Sequence, residues 1–353
     1  MTTIAPPPAR PRSVTVRVAR VIDETADARS LVFEVPAEAA TQFAYRPGQF
    51  LTVRVPSART GSVARCYSLA SAPGVDDHLM VTVKRTRSGY GSNWLCDNVS
   101  AGDELDVLPP SGVFTPSSPD DDLLLWGAGS GITPLFSILK ATLAGGRGRV
   151  AVIYANRDPD SVIFADDLRR LAARHPDRLT VIHWLESLLD VPTAEQLAAL
   201  AAPFADRQSY ICGPGGFMAA AKDALGRLDV DRSRVHAEIF TSLTGDPFAA
   251  PTSGGSGTAD DTSDATVVEV ETDGQTHRLS WPRSSNLVDV MISHGLEVPY
   301  SCREGSCGTC ACTVVSGDVV MTDPGVLDAD DIEAGYVLAC QARPDSAVAR
   351  IRF

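Results

Sequence analysis

Cys302, Cys307 and Cys310 stand in the spacing C-x4-C-x2-C, and Cys340 follows after 29 intervening residues. Core packing does not call for three thiols in so short a stretch. Two irons bridged by two sulfides do call for it, because they need four thiolates from outside. One tight loop supplies three and a distant strand end supplies the fourth, which is the plant-type [2Fe–2S] arrangement. The residues between the ligands are small: Gly305, Ser306, Gly308 and Thr309. Small residues let backbone N–H groups approach the sulfurs and tune the potential. A structural zinc ribbon would use two C-x2-C knuckles, and the second is missing. Cys312 points to the same side of the strand ACTVV as Cys310 but lies outside the spacing, and it reads as a packed thiol. The opening MTTIAPPPARPR has no apolar core, so it is not read as a secretion signal; residues 1–12 are expected to be disordered and the chain cytoplasmic. In that compartment the clustering of four of the eight cysteines between 302 and 312 points to metal rather than to disulfides.

The cysteine loop lies in a tail with its own character. Residues 244–265, TGDPFAAPTSGGSGTADDTSDA, are rich in Gly, Ser, Thr, Asp and Pro and read as a linker. From residue 241 on, 17 side chains are acidic and 6 basic, whereas residues 1–240 hold 27 and 25. The net charge of −13 argues against a nucleic-acid partner. No run of 18 apolar residues exists, so no membrane span is expected. A length of 353 residues favours two or three domains.

Residues 13–118 read as short alternating strands (SVTVRVARV, SLVFEV, FLTVRV, LMVTVKR) with one helix near 91–98, which is the pattern of a barrel or sandwich. Residues 119–243 alternate strand and helix. DLLLW, RVAVIY, RLTVIHW, SYIC and VHAEIF are the strands, and helices are expected at 132–144, 160–175, 194–201 and 216–228. That alternation predicts a parallel sheet covered on both faces. Residues 266–353 open with a hairpin turning at Asp273-Gly274, then a helix near 286–294, then the cysteine loop.

Two further constellations carry chemistry. Arg65-Cys66-Tyr67-Ser68-Leu69 follows the barrel strand that ends at Val55, and Lys84-Arg85 precedes Gly89-Tyr90-Gly91-Ser92-Asn93-Trp94-Leu95. An Arg fork suits a phosphate and an aromatic face suits a flat ring. Ser92 at a helix N-terminus offers a second phosphate site. Gly127-Ala128-Gly129-Ser130-Gly131-Ile132-Thr133-Pro134 joins a strand to a helix, where a pyrophosphate can meet backbone N–H groups. Cys212-Gly213-Pro214-Gly215 closes the strand SYIC at its C-terminal edge, where open α/β sheets bind ligands.

Together these motifs resemble the ferredoxin–NADP reductase superfamily, and with the cysteine loop the flavin- and [2Fe–2S]-containing reductases that serve oxygenases. The resemblance spans about residues 13–353. It implies a multidomain α/β plus β fold with three parts: an FAD-binding six-stranded antiparallel barrel (13–118), a Rossmann-like nicotinamide-binding domain (119–243) and a C-terminal β-grasp plant-type ferredoxin domain (266–353). By resemblance Arg65 holds a flavin phosphate, Tyr67 packs on the isoalloxazine, Ser68 bonds near N5, and Lys84, Gly91 and Ser92 complete that site. Gly127, Gly129, Gly131, Thr133, Pro134, Gly213 and Pro214 hold the nicotinamide nucleotide. Cys212 lies near nicotinamide C4 and Glu238-Ile239-Phe240 near the flavin, so Ser68 and Cys212 are the expected catalytic residues. Two phosphate-binding elements favour FAD over FMN. Arg157 could meet a 2′-phosphate and Asp158 a free 2′-hydroxyl; no second basic residue accompanies Arg157, which favours NADH. The resemblance implies a monomeric reductase passing electrons to a terminal Rieske oxygenase. The run 328–333, Asp-Ala-Asp-Asp-Ile-Glu, reads either as a solvated helix face or as a docking face for that partner.

Overall fold

The computed structural model describes residues 13–249 and 265–353, apart from 273, 297 and 328. The expected disorder of 1–12, most of the linker, Asp273 of the hairpin turn and Asp328 lie outside the described residues.

The first unit is a closed antiparallel sheet. Its strands are β1 (Val14–Thr25), β2 (Ala28–Glu34), β3 (Phe50–Ser57), β4 (Gly61–Ser68), β5 (Leu79–Lys84) and, after helix α1 (Tyr90–Asn98), β6 (Glu104–Ser111). They run in the order β4-β3-β6-β1-β2-β5. An antiparallel bridge from Leu69 to Val81 joins the two edges, so the sheet is a six-stranded barrel. Val16, Val18, Phe33, Leu51, Val53 and Val81 alternate inward and fill it. Closure removes exposed sheet edges and leaves the strand ends to present ligand-binding residues.

The second unit holds β7 (Leu123–Ala128), α2 (Ile132–Gly145), β8 (Val150–Asn156), α3 (Ala165–Arg174), β9 (Leu179–Leu185), α4 (Glu186–Leu189), α5 (Ala194–Ala201), β10 (Gln208–Cys212), α6 (Gly215–Arg227) and β11 (Val235–Glu238). The strands are all parallel, in the order β11-β10-β7-β8-β9. β7 and β8 are buried along their whole length. Their alternate side chains enter two separate cores, one on each face of the sheet, as continuous apolar strands require.

Two boundaries differ from the sequence reading. The helix expected at 160–175 begins only at Ala165. Asp158 and Ser161 cap each other around a short 3-10 turn, and Phe164 then takes a left-handed φ of 61°. That detour puts Phe164 against Phe136 with stacked rings 4.3 Å apart, so core packing overrides helix propensity there. The strand VHAEIF ends at Glu238, which leaves Ile239 and Phe240 exposed.

The third unit is a mixed sheet, ordered β13-β12-β18-β14-β16. It comprises β12 (Thr266–Thr272), β13 (Gln275–Trp281), helix α7 (Leu287–Ser293), β14 (Ala311–Ser316), β15 (Val319–Met321), helix α8 (Ala329–Glu333), β16 (Tyr336–Leu338), β17 (Ala342–Pro344) and β18 (Val348–Arg352). β15 pairs with β17 in a separate short ladder. Strands β12 and β18 are parallel and central, with α7 packed across them through Leu287, Val288 and Met291. Trp281 is fully buried in this core and donates its indole N–H to the Ser285 carbonyl at 2.8 Å.

The core of the third unit shares no residue with those of the other two, so it should respond separately. Trp281→Ala should destabilise the third unit by about 3–5 kcal/mol. In thermal melts followed by absorbance, the cluster band should be lost at a lower temperature while the flavin-reporting transition moves little.

Candidate cofactor sites

Strand β4 positions three of the expected flavin residues, and its alternation decides where each points. Arg65 extends over the start of α1, so close that a Cβ on Gly91 would fall 2.8 Å from its Cγ. A larger residue there would have to displace the Arg65 side chain. Its Nη1 donates to the Ala64 carbonyl at 2.6 Å. Ser92, on the first turn of α1, accepts from the Thr86 N–H at 3.1 Å. The two phosphate-binding elements expected from separate segments therefore lie side by side. Tyr67 packs against the barrel core, and burial raises its phenol pKa.

Ser68 is buried and donates to Glu238 Oε2 at 3.1 Å. This bond runs from the barrel to the end of β11. Burial pushes the Glu238 carboxyl up to about 8, against the opposing pull of the Ser68 hydroxyl. Across the ladder, Cys212 stands level with both Glu238 and Gly127. Cys212 is fully buried, and burial, then the neighbouring Glu238, push its thiol well above the usual range. It is a neutral group at physiological pH, not a thiolate.

The glycine turn is built for close approach. Gly129 has a φ of 54°, and a Cβ on Gly131 would sit 2.1 Å from the Cys212 carbonyl oxygen. The Tyr154 hydroxyl ties the turn down by donating to the Gly129 carbonyl at 3.0 Å, and Thr133 Oγ1 donates to the Ser130 carbonyl at 3.0 Å. Pro134 is buried in the first turn of α2, where its missing N–H costs nothing. Pro214 precedes the first residue of α6, and a Cβ on Gly213 would lie 3.0 Å from the Ala128 Cβ. Lys84 crosses from the barrel to this turn, with Nζ 3.6 Å from where a Gly129 Cβ would be. Burial lowers its pKa. Phe240 lies just past the Glu238 position and is half-exposed.

The four expected cluster ligands come together. Cys302, Cys310 and Cys340 are buried and Cys307 is half-buried. Cys302 lies within hydrogen-bonding reach of Cys307 and Cys340, and Cys340 of Cys310. The Cys302 thiol pulls the Cys340 pKa down, and Cys310 and burial push it up, to about 12. Gly305 and Gly308 take φ values of 78° and 68°, which turn the loop around the thiols. The buried Thr309 hydroxyl has no hydrogen-bond partner among the described residues. Four soft donors, an orphaned hydroxyl and glycine turns fit an iron–sulfur group. Cys312 stays apart: it is buried, it donates weakly to the Val337 carbonyl at 3.6 Å, and burial, then Cys340, raise its thiol pKa to about 12.

Several residues escaped the sequence reading. Asn156 ends β8 only 4% exposed, and both its amide atoms lack partners among the described residues. A buried amide left unpaired at the ligand-binding edge of a parallel sheet fits a nucleotide that completes its bonds. Arg157 donates to Asp27 at 2.8 Å, and Lys84 lies 3.9 Å from the same carboxylate. Ala64 and Cys66 of β4 pack with Cys302, Cys307, Leu243 and Phe248. Behind them the Thr52 and Ser301 hydroxyls meet at 2.7 Å in a buried pair. Glu304 accepts from the Thr244 N–H at 2.9 Å and from Gly245. The alternation of RCYSL carried a signal here, since Cys66 must face away from Arg65 and Tyr67. Nothing in sequence said what that face would meet.

Comparison with known proteins follows the same three parts. Residues 15–115 match the oxidoreductase FAD-binding domain, 125–223 the oxidoreductase NAD-binding domain and 270–345 the 2Fe-2S iron-sulfur cluster binding domain. The chain is 59% identical over 355 residues to the ferredoxin reductase component of 3-ketosteroid-9-alpha-monooxygenase from Rhodococcus rhodochrous, covering 100% of both chains. It is 55% identical to the component of that name in Mycobacterium tuberculosis (strain ATCC 25618 / H37Rv), over 96% of this chain and 95% of that one. One of the subunits of 1,2-phenylacetyl-CoA epoxidase from Escherichia coli (strain K12) is 31% identical over 93% of this chain and 94% of its own. Among solved structures, phthalate dioxygenase reductase shares the fold, with a TM-score of 0.56 and 24% identity over 97% of this chain and 98% of its own.

The Glu238 carboxyl generates a prediction. Its pKa is raised on folding, so its contribution to stability is greatest below the ordinary glutamate range and is lost as pH rises through about 8. Glu238→Gln should therefore hold its melting temperature more nearly constant between pH 5 and 9 than the parent does. Identical pH profiles by thermal denaturation would mean that Glu238 is not desolvated.

Proposed function

Because the chain belongs to the family of ferredoxin reductase components of 3-ketosteroid-9-alpha-monooxygenase, we propose that it passes electrons from NADH through FAD and a [2Fe–2S] cluster to a terminal Rieske-type oxygenase acting on 3-ketosteroids in steroid breakdown. The observation that carries this reading is the direct packing of the flavin-motif strand β4 on the cluster loop, Ala64 and Cys66 against Cys302 and Cys307. The stretches RTGSVARCYSLAS, YANRDPDSVIF, HWLESL and SCREGSCGTCACT carry the same resemblance in sequence.

A bound flavin supplies the exchange between a two-electron hydride donor and a one-electron acceptor, and the cluster supplies the latter. The chain's own residues do the rest. Arg65, with the first turn of α1 at Gly91 and Ser92, holds the flavin phosphates, and Tyr67 offers a flat face to the ring. Ser68 holds its proton toward Glu238 and so has a fixed orientation at the mouth of the barrel. Glu238, near pH 7 in its neutral form, adds no negative charge beside the reacting rings. Gly127, Gly129, Gly131, Thr133 and Pro134 hold the nucleotide from one side, and Gly213 and Pro214 from the other. Cys212, neutral and buried, bounds the nicotinamide pocket and keeps water from it. Asp27 already occupies the Arg157 guanidinium, which leaves no free basic pair for a 2′-phosphate and favours NADH. Cys302, Cys307, Cys310 and Cys340 ligate the cluster. We assign 13–118 to the flavin, 119–243 to the nucleotide and 266–353 to the cluster, in a monomeric cytoplasmic protein. No helix among the described residues is long and apolar enough to cross a membrane.

Cys310→Ser should abolish the cluster absorbance yet keep NADH-to-ferricyanide turnover within about twofold of the parent. Loss of flavin reduction in that variant would overturn the division of labour. Arg65→Ala should release most of the flavin during gel filtration, since a charge-assisted fork contributes about 2–3 kcal/mol. Flavin retained at the parent's stoichiometry would remove Arg65 from the site. The oxygenase assignment is tested by NADH-driven turnover of a 3-ketosteroid by the terminal oxygenase component, with this chain as sole reductase.

A further inference from the structure

We propose that the terminal oxygenase docks on a two-unit apolar patch, formed by Val113 of the barrel unit and Val326 of the turn before α8, that closes over Gly308 of the cluster loop. The inference rests on the electron-transfer reading above and says where the electron leaves.

Val113 follows β6 beside the buried Phe114, yet is itself 62% exposed. Val326 is 49% exposed. Its turn is tied to the cluster loop: the Val326 N–H donates to the Gly305 carbonyl at 3.2 Å. A Cβ on Gly325 would fall 2.2 Å from that same oxygen. Gly308 is buried between the two valines, since a Cβ there would lie 3.3 Å from Val113 Cγ2 and 3.4 Å from Val326 Cγ2. One exposed valine is ordinary on a protein surface. Two from different units that flank the peptide between Cys307 and Cys310 form a patch at the edge of the cluster loop.

The other approaches to the loop are covered. Cys302 faces the barrel, against Ala64 and Leu243. Cys310 and Cys340 lie in the core of the third unit. Ser306, Cys307 and Thr309, the neighbours of Gly308 in the chain, are half-buried, and Cys307 also packs toward the barrel beside Cys302. Among the described residues, the Gly308 side is the approach to this loop that neither core covers.

The charge of the segment that carries the cluster loop and Val326 selects the occupant. Residues 304–342 hold seven acidic side chains and no Lys, Arg or His. Asp323, Asp330 and Glu333 are exposed. An apolar patch in a segment whose only charges are acidic fits a brief redox encounter with a basic surface on the oxygenase. Charge complementarity speeds the encounter, and a small apolar contact sets the register. Because Val113 and Val326 belong to different units, the patch exists only while the cluster unit is seated on the barrel. The oxygenase therefore recognises the seated arrangement rather than the ferredoxin unit alone.

The test uses the holoprotein and stopped-flow reduction of the terminal oxygenase component by NADH at limiting reductase. Val113→Ser and Val326→Ser should each lower the second-order rate by about three- to tenfold. NADH-to-ferricyanide turnover and the cluster spectrum should match the parent. Val348→Ser, an equally exposed valine on β18, should change nothing. Parent-like rates in both variants would overturn the proposal. So would a loss confined to Val326→Ser, because docking would then read the cluster unit alone. A concentration-dependent dimer of the parent in sedimentation, lost in Val113→Ser, would give the patch to a second copy of the chain and would also overturn it. Failure of the parent itself to reduce the oxygenase would instead strike the electron-transfer reading.

Discussion

The seating of the cluster loop on strand β4 is the contact on which the rest of the molecule depends. The Thr52 and Ser301 hydroxyls meet at 2.7 Å with no exposure to water. A buried hydroxyl pair is costly to separate, because each partner left alone bears the desolvation of an unpaired polar group. Around it, Ala64, Cys66, Leu243 and Cys302 exclude solvent. The first residues after β11 then bind the loop from outside. Glu304 takes N–H bonds from Thr244 and Gly245, and Arg303 reaches the Ala249 carbonyl at 3.1 Å. The chain leaving the second unit is therefore part of the joint between the first and the third. Electron transfer over protein distances depends on separation, and this joint holds the separation fixed.

Burial rather than ion pairing sets the chemistry at the other joint, between barrel and parallel sheet. Gly127, Cys212 and Glu238 stand level at the strand ends. Desolvation keeps the thiol and the carboxyl neutral there. Beside this neutral wall, backbone N–H groups, the start of α2 and the Lys84 ammonium that reaches the glycine turn are the electrostatic attraction for a pyrophosphate. Asp27 pairs with both Arg157 and Lys84. One acidic residue in a barrel hairpin thus links the two units and occupies the basic groups nearest the nucleotide edge.

The division into a barrel, a parallel sheet and a cysteine-bearing sheet was legible because each has its own period. Val14, Val16 and Val18 alternate, Leu123–Trp126 run without a break, and three cysteines crowd one loop. The grouping of the four thiols was legible because thiols at that spacing have few other uses. The late start of α3 was not legible. DSVIFADDLRRLAARH reads as one helix until Phe164 is required to stack on Phe136, and no local preference records that demand. The Ser68–Glu238 and Arg157–Asp27 contacts were likewise invisible, since the partners are far apart in the chain.

By itself the sequence determined the three folding units, the four thiols and the two glycine-rich turns, because periodicity, ligand spacing and turn stereochemistry are local properties. Only the tertiary structure decided which faces meet. It turned Cys66 and Ala64 toward the cluster while Tyr67 kept to the barrel, brought Gly91 under Arg65, and set Val113 and Val326 on either side of Gly308. The reason is that contacts between units depend on the shape and desolvation of whole surfaces, which no short stretch of chain encodes.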